Sequence, residues 1–193
     1  MPPAPPAPPP RRSSRRKSRT RNGRVEVPEL GIEIQVPSGR DVPRERIEAA
    51  LHRALELGGP RAEDGARVPS APGAPSPNPP NPGAAPVELS VTFLEDDPIR
   101  ALNREWLEHD WVPDVLSFEL GEGGILAGDI YVGLDQAARQ AEEAGVPLEE
   151  ELVRLALHGA LHVLGFDHPE AAEDRAESPL YRRQEAILRE VFP

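Results

Sequence analysis

Residues 148–164, LEEELVRLALHGALHVL, leave the chain little freedom in how it folds. Three glutamates come first and suit the positive end of a helix dipole. From Leu152 onward the segment is apolar on nearly every face, with Arg154 the exception. A helix apolar all round is stable only when buried, so the other elements must be arranged around it. We read this helix over 147–164. His158 and His162 stand four apart and project from one side of it. Burying two imidazoles costs free energy unless their nitrogens find partners. Gly165 follows where a helix C-terminus commonly takes a left-handed residue. A reversal there brings His168 back beside the first two, so three of the chain's five histidines converge.

The flanking pattern says what surrounds that helix. IEIQV (32–36) and VELSVTF (87–93) alternate as half-buried strands do. In DVPRERIEAALHRALE (41–56), Ile47, Leu51 and Leu55 recur every fourth residue, which predicts a helix with Asp41 as its N-cap and Pro43 early. PIRALNREWLEH (98–109) reads as a second helix. VLSFEL (115–120) and LAGDIYVG (126–133) flank a glycine-rich loop and predict a hairpin. A helix near 134–145 precedes the histidine helix, and a last one opens at Ser178-Pro179. The order β-α-β-α-β-β-α-α-α predicts an α+β domain in which helices pack a single mixed sheet.

Two stretches fall outside this order. Residues 1–24 are rich in proline and carry eight basic groups and no acid, which leaves 14 basic against 33 acidic residues, or −19, on the remainder. Such a segment lacks core-forming residues and predicts a disordered arm. It reads either as an arm that attracts polyanions, nucleic acid above all, or as an extension from a misassigned start. Residues 58–86 hold nine prolines and no apolar periodicity. They read as a flexible insert looped out of one domain over 25–193, because each flank is too small to fold alone. The chain has no cysteine, which excludes thiolate chemistry and a disulfide framework. No apolar run reaches the roughly 18–20 residues that a bilayer span needs.

Three imidazoles on one point with a fourth position open is the layout of a catalytic zinc site, with one ion per chain. The alternative is a hydrogen-bonded core pair plus a surface histidine. The H-x-x-x-H-x-x-G-x-x-H spacing, with its glycine and third ligand, favours metal. The same spacing occurs in metzincin peptidases, where a glutamate directly after the first histidine is the general base. Here that position is Gly159, which argues against peptidase chemistry by that route. Asp167 reads either as a group that positions water or ligand, or as a solvated turn residue.

HGALHVLGFDH resembles the HGxLHLxGYDH signature of the YbeY family of bacterial rRNA maturation factors. LNREWLEHDWVPDVLSFEL (102–120) is similar to the family's LN-x-x-YR and TDVLSF segments, and AGDIYVG (127–133) to its GDI strand. The resemblance covers roughly 87–193, with 25–57 matching the first strand and helix. It implies a zincin-like single domain with a central metal-binding helix. It also implies a cytoplasmic, zinc-dependent endoribonuclease that cuts single-stranded RNA, trims the three-prime end of small-subunit rRNA and acts in ribosome quality control. Its partners would be rRNA and the small ribosomal subunit, with neither DNA nor membrane. The ligands carry over as His158, His162 and His168. The family's phosphate-contacting arginine falls at Leu107, and Pro113 replaces a threonine. Arg104, one helical turn earlier, is either a substitute for that arginine or a solvated helix residue. A non-catalytic, zinc-containing assembly factor is the reading from a different class.

Overall fold

The computed structural model describes residues 30–59, 87–120, 126–168 and 177–193. The expectations for the arm (1–24) and for nearly all of the insert (58–86) lie outside these residues. Four strands and five helices are present among them: β1 (Leu30–Gln35), α1 (Arg44–Leu57), β2 (Val87–Leu94), α2 (Asp96–Leu107), β3 (Val115–Glu119), β4 (Leu126–Gly133), α3 (Leu134–Ala144), α4 (Leu148–Val163) and α5 (Pro179–Val191). This is a mixed α+β domain, and every element expected from the sequence occurs within about three residues of its expected bounds.

The sheet runs β1-β2-β4-β3. β1 and β2 are parallel, as are β2 and β4, while β3 returns antiparallel on β4 and forms an edge. Register puts Val91 beside Ile130 and Phe93 beside Val132. The strict alternation of β2 therefore buries Val87, Leu89, Val91 and Phe93 on one face. α4 covers that face at β3 and β4, and also packs against α1, α3 and α5. α1 contributes Ile47, Leu51 and Leu55 to the same core, at the spacing that marked it as a helix. The opposite face carries α2, where Trp106 meets Phe118 with ring centroids 4.7 Å apart.

Two glycines set how closely α4 approaches the sheet. A Cβ on Gly159 would lie 2.6 Å from Ile130 Cγ2 and 3.2 Å from Val115 Cγ2. A Cβ on Gly128, in β4, would lie 2.5 Å from Val163 Cγ1. At both contacts, one turn apart in the C-terminal half of α4, one partner lacks a side chain, so α4 sits closer to β4 than a pair of ordinary residues permits.

One cap differs from expectation. α1 begins at Arg44 with Pro43 at the N-cap position and no side-chain cap. Asp41 lies two residues too early and instead accepts a hydrogen bond from the Val42 amide at 3.0 Å. The Ser178-Pro179 start of α5 is as expected, with Ser178 Oγ accepting from the Tyr181 amide at 3.2 Å.

Candidate metal centre

α4 ends in a turn built by its own last residues. Gly165 has φ of 88°, its amide donates to the His162 carbonyl, and the Phe166 amide donates to the Leu161 carbonyl, both at 2.9 Å. This is the Schellman pattern, in which a left-handed glycine satisfies the helix's last carbonyls and an apolar residue beyond it packs back. Phe166 supplies that contact and is buried in the core. The reversal returns His168 toward α4, and one ligand atom from each of His158, His162 and His168 lies within 4.8 Å of the others. This group could hold a metal ion.

The chemistry of the three donors fits such an ion. His158 Nδ1 is 2.9 Å from Gln184 Oε1. A carbonyl only accepts, so Nδ1 carries the hydrogen and Nε2 is left with a bare lone pair. That Nε2 faces His162 Nε2 at 3.2 Å. Two nitrogens held at about 2.05 Å by a tetrahedral ion stand roughly 3.3 Å apart, and at most about 4.1 Å apart in any geometry. The pair on α4 is thus already at ligand spacing, and closing a set that spans up to 4.8 Å on an ion requires it to tighten by about 0.7 Å or more.

Burial favours the neutral imidazole that a metal requires. The His162 pKa is lowered to about 4, first by desolvation and then by the neighbouring His158 and His168. A histidine neutral in the fold but with the ordinary value of 6.5 when unfolded binds its proton more tightly in the unfolded chain. The stability this gives is present above pH 6.5 and is lost as pH falls from there toward 4. Urea midpoints of the metal-free chain are expected to fall across that window, and to fall less in His162→Gln. Parallel pH profiles would show that His162 is not the group responsible.

The three histidines line an open cleft of about 990 Å³. Its walls are the outward face of α4, the edge strand β3, α3 and α5. Leu107 lines it, as do the acids Asp114, Glu119, Glu143 and Glu151. Arg154 is the one arginine or lysine among the described residues of the lining. It is ion-paired to Glu150 at 2.8 Å, to Glu151 at 3.2 Å and to Glu185. The cleft is therefore acidic, and its cation is already compensated. The burial that raises the Glu151 pKa offsets part of that charge.

The other expected site residues are placed differently. Arg104 is exposed on α2, pairs loosely with Asp110 at 3.8 Å and does not line the cleft. Asp167 is exposed on the turn, where its carboxylate accepts from the His168 amide at 2.8 Å. His109 stacks on Trp111 with centroids 4.1 Å apart, well separated in sequence from the trio. Gln184 was not anticipated. Its signal is a polar amide within the apolar stripe Leu180, Gln184, Ile187 and Leu188 of α5, where burial demands a partner.

The class so far defined is an α+β domain whose cleft is lined by a three-histidine group that could hold a metal ion, and comparison narrows it. Residues 80–191 match the family model described as Endoribonuclease YbeY. The chain belongs to the endoribonuclease YbeY family. Among its relatives, the Endoribonuclease YbeY of Persephonella marina is 39% identical over 110 residues, covering 54% of this chain and 71% of that protein. That of Syntrophotalea carbinolica is 42% identical over 111 residues, with the same coverage of 54% and 71%. That of Aquifex aeolicus is 47% identical over 91 residues, covering 46% of this chain and 61% of that one.

Proposed function

We propose that this chain is a zinc-dependent endoribonuclease specific for single strands, acting in the cytoplasm on the three-prime end of small-subunit rRNA and in ribosome quality control. The observation that carries the reading is the His158, His162 and His168 group lining an open cleft, in a chain of the endoribonuclease YbeY family. On this reading the fold is zincin-like and α4 is its metal-binding helix.

Zinc, when bound, lowers the pKa of a coordinated water toward neutrality and offsets charge on the phosphoryl group under attack. The chain's part is to hold three neutral imidazoles at one point and to shape the approach. His158 and His162 are set by α4, and His168 by the Gly165 turn. An acidic lining with a compensated arginine repels a polyanion. An ion held by His158, His162 and His168 would therefore supply positive charge for RNA binding as well as for cleavage. The eight basic groups of residues 1–24 are a second source of attraction. Leu107 gives the substrate no cation, and Arg104 and Asp167 lie outside the lining of the cleft.

Peptidase chemistry by the glutamate route is disfavoured by position as well as by residue type. The side of α4 at 159 is pressed on Ile130, so no side chain there can face the histidines. The purified full chain should be incubated with single-stranded RNA, duplex RNA, single-stranded DNA and casein, with and without chelator. Cleavage of single-stranded RNA alone, lost with chelator and restored by zinc, is the expected result. Casein cleavage would overturn the nuclease reading. RNA binding without cleavage would replace it with the assembly factor.

A further inference from the structure

We infer that Gln184 is a positioning residue for the metal centre, holding His158 in the tautomer that presents Nε2 to the ion. The inference rests on the metal reading of the three histidines. α5 inserts Leu180, Ile187 and Leu188 into the core, and Gln184 occupies the same stripe at 1% exposure. A buried amide in an apolar stripe is costly unless both its ends are bonded. Both are. Oε1 accepts from His158 Nδ1 at 2.9 Å, and Nε2 donates to Glu185 Oε1 at 3.4 Å.

The second contact fixes the sense of the first. Reversing the amide would set its carbonyl against the Glu185 carboxylate and its NH₂ against His158 Nδ1. Glu185 is in turn held by Arg154, one helical turn before His158 on α4. α5 and α4 are therefore joined through a polar chain, His158–Gln184–Glu185–Arg154. In a neutral imidazole a hydrogen on Nδ1 leaves Nε2 as the only available donor atom. The opposite tautomer would place a hydrogen between His158 and the ion. Groups that orient a ligand histidine in this way typically contribute about 10–100-fold in metal affinity.

The test uses the full chain with Gln184→Met, which keeps length and apolar volume but removes the acceptor, and Gln184→Glu, which keeps an acceptor. Zinc affinity is read by competition with a chromophoric chelator. The His158 tautomer is read by ¹⁵N NMR of the metal-free chain, and near-ultraviolet circular dichroism controls for folding. The expected result has the His158 hydrogen on Nδ1 in the wild type. Zinc binding is about 10–100-fold weaker in Gln184→Met, with the tautomer no longer held, and is restored in Gln184→Glu. Wild-type affinity in a folded Gln184→Met overturns the proposal alone. So does a wild-type His158 protonated on Nε2, a measurement that stands even if the methionine variant does not fold. A wild-type chain that takes up no zinc overturns the metal reading itself, and the two failures are thereby distinguishable.

Discussion

Gly159→Glu, which would restore the carboxylate that follows the first histidine in metzincin peptidases, is expected to unfold the domain and not to create a peptidase. Gly159 is buried, and even a methyl group there would stand 2.6 Å from Ile130 Cγ2. Ile130 is fully buried in β4, so its side chain can give way only into the packed core. Overpacking of this kind costs about 1–3 kcal/mol, so Gly159→Ala should fold with a clearly lower urea midpoint. The glutamate adds an unpaired carboxylate in an apolar interface, a further penalty of several kcal/mol. Against the roughly 5–15 kcal/mol that holds a domain together, the sum is enough to abolish cooperative unfolding. A Gly159→Glu chain with a wild-type midpoint would mean that α4 can lift from the sheet, and that the glycine is not a packing requirement.

His162→Ala is expected to reduce zinc content from about one per chain to near none and to abolish RNA cleavage. His162 is the second α4 histidine of the proposed centre, with its Nε2 3.2 Å from that of His158. Its loss leaves two histidines, one of them on the turn. The variant also separates metal from packing. A ligand that binds only the native state stabilises it, by about 4 kcal/mol when free zinc is a thousand times its Kd. Chelation should therefore lower the melting temperature of the wild type and leave His162→Ala unchanged. Undiminished zinc content in the variant would remove His162 from the ligand set and, with it, the three-histidine centre.

The element order was legible in the sequence because helices and strands announce themselves by local periodicity. The stripe Ile47, Leu51, Leu55 and the alternation Val87, Leu89, Val91, Phe93 are one-dimensional signals of burial on one face. The meeting of the three histidines was legible for the same reason. His158 and His162 are joined by helical spacing, and His168 by a turn whose left-handed residue is written as Gly165. All of that geometry closes within eleven residues. Asp41 shows the limit of local signals, since a good capping residue two positions early is not a cap.

Tertiary structure alone decided the rest. No periodicity states that β4 lies between β2 and β3, because pairing order depends on contacts between residues far apart in the chain. Gly159 reads in the sequence as a missing carboxylate, and in the fold as the place where α4 touches Ile130, 29 residues away. Arg104, read in the sequence either as a substitute for the family arginine or as a solvated helix residue, lies outside the cleft lining, whose arginine among the described residues is Arg154. Gln184, separated from His158 by 26 residues, meets it only because α5 packs across α4. The three histidines could be named from spacing, but the hydrogen bond that sets a tautomer and the acids that line the approach come from elements the sequence does not join.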